Sequence, residues 1–252
     1  MNDYSSIAKT LSESLKLRVP PVAVCFTDKP PEKVPATTQP AAAGCVFWER
    51  GAQTAFVTSP ADHSNCVVGM YTHHMPLTTA AQHENLDDCL KVFGDLGYVR
   101  SEDLANIPVL KQEAKYVTYA PLATTPVPPA AVLLFANSRQ SLAITEAVQQ
   151  VQPSVPPALG RPACAVIPQV VNTGAPALSL GCCGARAYLD VMTDDFALWA
   201  LPGERIADYA ARIQVLAQAN QILTQFHQLR RADVETGKSP SIKESLARLQ
   251  GG

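Results

Sequence analysis

Proline divides this chain more than any other residue does. Its 21 prolines include four within residues 29–40, three within 124–129 and three within 153–157. Each cluster fixes φ and removes backbone donors, so regular structure stops there and a stiff surface connection takes over. The chain therefore folds as short elements between these breaks. The longest apolar run, residues 130–136, is strand-sized. It falls well short of the roughly 18 residues of a membrane helix.

Hydrophobic residues make up 47% of the 252 positions and charged residues 17%, with a net charge of −2. That balance excludes a disordered polyelectrolyte, and it lacks the basic excess of a dedicated nucleic-acid binder. The length is enough to bury a sizeable core. The stretch from Met1 to Ile7 has neither a basic n-region nor an apolar h-region, so a cytoplasmic protein with reduced cysteines is expected.

Apolar spacing predicts a helix over residues 3–17, with Ile7, Leu11 and Leu15 on one face and Asp3 as N-cap. Strands are predicted at 22–27, 54–58, 116–120, 131–136, 163–167 and 196–200, and helices at 80–96 and 141–151. Without a clean βαβ rhythm, this order reads as α+β, with a mixed or antiparallel sheet, packed helices and a long C-terminal helix. Residues 1–203 form the expected core domain and 204–252 a helical extension. Ile206, Tyr209, Ile213, Leu216, Leu223 and Phe226 make a stripe on that helix, continued by Asn220 and His227. The stripe fits packing on its own domain or a homodimer, with Asn220 setting register. Gly251 and Gly252 should fray.

Common nucleotide, hydrolase and zinc-protease motifs are missing, and so is CxxC. The seven cysteines carry the signal instead. Four lie beside glycine or in turn-like sequence: Cys45 after Gly44, Cys66 in Cys66-Val67-Val68-Gly69, Cys164 in Arg161-Pro162-Ala163-Cys164, and Cys182 in Gly181-Cys182-Cys183-Gly184. Glycine there lets backbone approach a bulky inorganic group. A hairpin of residues 163–167 with 177–180, turning at Thr173-Gly174, would bring Cys164 near Cys182. A second hairpin around Arg50-Gly51 would bring Cys45 towards Cys66. Four such thiolates can hold zinc or an iron–sulfur cluster. Cys25, in a strand, and Cys89, on an apolar helix face, read as small buried hydrophobes. Cys182 or Cys183 could instead serve as a reactive thiol, with Arg186 lowering its pKa, or the two could form a vicinal disulfide.

These residues carry a likeness. The opening Leu17-Arg18-Val19-Pro20-Pro21-Val22-Ala23-Val24 resembles the "PPVAV" strand of the domain of unknown function 169 family. Cys66-Val67-Val68-Gly69 is similar to its C-P-x-G, with Val67 for Pro. Tyr119-Ala120-Pro121-Leu122 resembles its "YAPL" segment, and Gly181-Cys182-Cys183-Gly184-Ala185-Arg186 its G-C-x-G-[SA]-R. The likeness runs from about Leu15 to Pro202. It implies one metal site formed by Cys45, Cys66, Cys164 and Cys182, with Cys183 at a variable position, and it favours a four-iron, four-sulfur (4Fe-4S) cluster over zinc.

His63, His73 and His74 lie near Cys66. They read either as surface loop residues or as donors around the site. If 73 and 74 are extended, only one of them can face it. Arg50 and Arg186 could offset a thiolate-rich centre or bind an anion. The expected function is electron transfer, redox sensing or cluster-dependent chemistry on a small molecule, in exchange with a redox partner protein or a small molecule. The alternatives are a structural zinc or small-ligand-binding module, and a thiol enzyme using Cys182 or Cys183.

Overall fold

The computed structural model describes residues 3–153 and 155–250. Gly251 and Gly252, and with them the expected fraying, lie outside these residues. The chain is α+β. Strands β1 (Val22–Thr27), β2 (Phe56–Thr58), β3 (Tyr116–Pro121), β4 (Ala131–Asn137), β5 (Ala158–Leu159), β6 (Ala177–Ser179) and β7 (Phe196–Pro202) form one sheet in the order β2-β3-β1-β4-β7-β6-β5. All neighbours run antiparallel except β5 and β6.

The central strands are buried on both faces, and their alternation sorts two cores. Ala131, Leu133 and Phe135 of β4, with Leu198 and Ala200 of β7, point to one side. Val132, Leu134 and Ala136, with Trp199 and Leu201, point to the other. Three long helices cover the second face: α1 (Tyr4–Leu15), α5 (Ser138–Val151) and α8 (Ile206–Glu235). Asp3 caps α1 by accepting from Ser6 N at 3.1 Å. Gln140, in the first turn of α5, donates to the carbonyls of Leu15 and Lys16 and so ties α5 to the end of α1.

Ile206, Tyr209, Ile213 and Leu216 of α8 are buried in this second core. Leu223 and Ile222 are exposed further along the helix. Asn220 lies 3.3 Å from Glu146 of α5 and so bonds within its own chain.

The first face is covered by short helices: α2 (Val46–Gly51), α3 (Val67–Thr72), α6 (Val166–Thr173) and α7 (Cys183–Tyr188). Here the two expected hairpins are overturned. The segment around Arg50 and Gly51 is α2. Residues 163–167 form a 3-10 turn, Ala163–Ala165, that runs into α6. A short apolar run suits strand or helix equally. The helix prevails because Pro168 falls in its first turn, where a missing N–H costs nothing. Gly174, at φ +66, ends it as a left-handed cap. β5, α6 and β6 thus form a parallel crossover, not a hairpin. The other α-helices among the described residues are α4 (Ala80–Asp95) and α9 (Ile242–Gln250). No helix among the described residues is long and apolar enough to cross a membrane.

Candidate functional site

A cavity of about 910 Å³ opens on the short-helix face. That lies within the size range of small-molecule and cofactor sites. Cys45, Cys66, Cys164 and Cys182 all line it, although they come from four separate segments. Cys45 immediately precedes α2, whose Phe47 and Trp48 bury themselves on the sheet. Cys66 is the N-cap of α3. Cys164 lies in the 3-10 turn before α6, with Thr72 Oγ1 3.4 Å from its sulfur. Cys182 is the N-cap of α7, and its sulfur accepts from Ala185 N at 3.5 Å. Gly69 leaves room for a thiol, since a Cβ there would sit 2.9 Å from Cys66 Sγ.

The thiols lie close enough to oppose one another's ionisation. Burial, and then the charges of Cys66 and Cys182, push the Cys45 thiol up to about 12. Burial and then Cys66 raise Cys164 further, against the hydrogen bond from Thr72. Four thiolates would therefore coexist here only around a compensating positive centre. Among the described residues, no three His, Cys, Asp or Glu side chains converge closely enough to hold a single metal ion.

His63 and His73 differ from the surface reading, whereas His74 is exposed. His63 and His73 are 2% and 3% exposed and line the cavity, with ring centroids 6.3 Å apart. Position 73 caps α3 and is not extended. His74, at φ 51, turns to the Leu110 carbonyl at 2.9 Å. Thr58 Oγ1 donates to Val117 O at 3.0 Å, so it accepts from His63 Nε2, also at 3.0 Å. That assigns the His63 proton to Nε2 and leaves a lone pair on Nδ1. His73 Nδ1 lies 2.9 Å from Gly69 O, which only accepts, so the His73 lone pair is on Nε2. Burial favours the neutral form of both rings. Burial lowers His63 to about 3, helped by His73, and lowers His73 to about 4 against its bond to Gly69.

The arginines are also placed otherwise than expected. Arg50 donates to the carbonyls of Gln39 and Pro40. Arg186 donates to the carbonyls of Leu180, Thr193 and Phe196, and so holds the loop before Cys182 in place. Its guanidinium is thereby committed to backbone, and neither arginine lines the cavity. Cys25 is buried in the opposite core, as read. Cys89 is not a core residue. It is half-buried on α4, which buries none of its side chains, and it lines the cavity with Leu90 and Phe93. Cys183 is exposed and lines it too.

Sequence reasoning also missed Trp48 and Tyr119 as cavity residues. The available signals were the spacing of Trp48, three positions after Cys45, and the place of Tyr119 in the "YAPL" segment. An α+β sheet with a thiol-lined cavity on one face defines the class. Residues 10–212 match DUF169, an uncharacterised ArCR family, and the chain belongs to that family. No curated protein and no solved structure matches it.

Proposed function

We propose that this chain is an iron–sulfur protein that holds a four-iron, four-sulfur cluster through Cys45, Cys66, Cys164 and Cys182. The observation that carries the reading is the meeting of these four cysteines, from four separate segments, around one cavity. A cluster would take one iron per thiolate, whereas zinc would need the four sulfurs drawn onto a single ion. The thiol-enzyme reading loses its activating arginine, because Arg186 is bound to backbone carbonyls.

When bound, such a cluster supplies one-electron transfer at a potential tuned by burial and hydrogen bonds. The chain's part is to exclude water and to donate to sulfur. Ala185 N–H bonds the Cys182 sulfur, and the Thr72 hydroxyl lies beside that of Cys164. Four cysteine ligands leave no iron open, so electron transfer or redox sensing, in a reducing cytoplasm and with a redox partner, fits better than catalysis on iron.

Anaerobic purification with a visible spectrum and iron, sulfide and zinc analysis tests the reading. About four irons and four sulfides per chain, with a broad visible band, support it. Roughly one zinc and no colour would replace it with a structural site. Loss of cluster in single substitutions of Cys45, Cys66, Cys164 and Cys182, but not of Cys183, would name the ligands.

A further inference from the structure

The lining of the cavity has two parts. The thiols share one with the buried Trp48 and Tyr119. The other is apolar and open to solvent: Leu90 and Phe93 of α4, Tyr98 and Leu104 after it, and Leu159 and Tyr188 from elsewhere in the chain. Leu159, Tyr188 and Tyr98 are 78%, 51% and 40% exposed, so a molecule entering from solvent meets them first.

The packing of α4 explains why this part is open. Leu86, Leu90 and Phe93 recur at helix spacing, opposite the exposed Glu84, Asp88, Lys91 and Asp95. An amphipathic helix is held by burying its apolar stripe against another element. Here the stripe is only half-buried, and Leu90 and Phe93 give onto the cavity. An apolar molecule in that space supplies the burial that the chain itself leaves incomplete.

One cation marks the polar end. Among the described residues, the lining holds three charged side chains, Arg100, Asp103 and Arg161. Arg100 and Asp103 satisfy each other, Nη2 to Oδ1 at 2.6 Å and Nε to Oδ2 at 3.0 Å. Arg161 makes no hydrogen bond or ion pair among the described residues, and its guanidinium lies over Tyr98, 4.7 Å from the ring centroid. A guanidinium held in this way presents a fork that matches one carboxylate.

We propose that this outer part of the cavity binds an apolar molecule carrying a single carboxylate, its body against Leu90 and Phe93 and its carboxylate on Arg161. One uncompensated positive charge suits a monoanion better than a phosphate monoester, which carries close to two negative charges. The site does not rest on what the thiols hold.

Calorimetry on the full chain as purified, with octanoate as the probe, tests the proposal. The controls share its hydrocarbon chain: octan-1-ol is uncharged, octyltrimethylammonium is cationic and octyl phosphate is more negative. Hydrogen exchange locates the site. Octanoate is expected to bind, to slow exchange in α4, which buries no side chain, and to leave α8 unchanged. Octan-1-ol and the ammonium compound should bind at least about tenfold more weakly, the size of one charge-assisted pair. Arg161→Gln should weaken octanoate about tenfold and leave octan-1-ol unchanged, whereas Phe93→Ala should weaken both about fivefold. Neither side chain is buried, so both variants should fold as the wild-type chain does. No octanoate binding, or binding without slower exchange in α4, would overturn the proposal. So would octan-1-ol or the ammonium compound binding as tightly as octanoate, or Arg161→Gln binding octanoate as the wild type does. Tighter binding of octyl phosphate would overturn the carboxylate in favour of a phosphate. None of these readouts needs iron, so failure here leaves the cluster reading standing, and the reverse holds too.

Discussion

Gly69 shows how closely a single residue controls this site. Alanine there suits a helix better than glycine does, yet its Cβ would lie 2.9 Å from Cys66 Sγ and displace the thiol. Gly69→Ala is therefore expected to keep native helix content by circular dichroism and, under the proposed function, to lower cluster retention about tenfold, as changes around metal ligands do. Iron per chain after gel filtration measures it. Cys25, on the opposite face, makes a separate prediction. Burial raises its thiol from 9.0 to about 11, against a hydrogen bond with Thr125. A folded pKa above the unfolded one gives stability that is complete below pH 9 and lost as pH climbs towards 11. The loss is at most about 2–3 kcal/mol. Urea unfolding from pH 8 to 11 should show a shallower decline in Cys25→Val than in the wild-type chain. The four glycine-flanked or turn-borne cysteines were legible one by one because turn chemistry is local. The burial of His63 was not. It depends on Phe47, 4.8 Å away between ring centroids, and on Thr58 and Tyr119, which packing alone brings to it.

Among the elements, those with regular spacing could be read and those with short apolar runs could not. β1, β4 and α1 lie where the sequence puts them, because burial on both strand faces or on one helix stripe leaves a periodic trace. The 163–167 segment lacks such a trace. Its fate as a turn and helix follows from Pro168 and Gly174, whose meaning depends on where the helix begins. α8 was legible as a helix, and its first turns behave as core. Ile213 is fully buried in the core between the sheet and the long helices. Ile213→Ala should destabilise the chain by about 2–4 kcal/mol, seen as a lower urea midpoint. The same change at exposed Ile222 should move the midpoint little.

At the scale of the molecule, the sheet separates a scaffold of α1, α5 and α8 from a working face of four short helices, where α4 also lines the cavity. Hydrogen exchange should register that separation. If the chain holds the proposed cluster, removing its iron with a chelator is expected to speed exchange in α2, α3 and α7 while leaving α1, α5 and α8 protected, because only the first group carries or adjoins the thiols. The lone parallel pair has a consequence of its own. β5 and β6 run the same way, in register through Ala158 with Ala177 and Leu159 with Leu178. Cys164 and Cys182 each follow the carboxyl end of one of these strands, so ladder geometry sets their separation and the intervening chain does not. The crossover through α6 can lengthen or shorten by whole turns while the two sulfurs keep their places. Relatives of this protein are therefore to be sought with an elastic gap between the third and fourth site cysteines, and a rigid one in the Gly-Cys-x-Gly loop that follows β6.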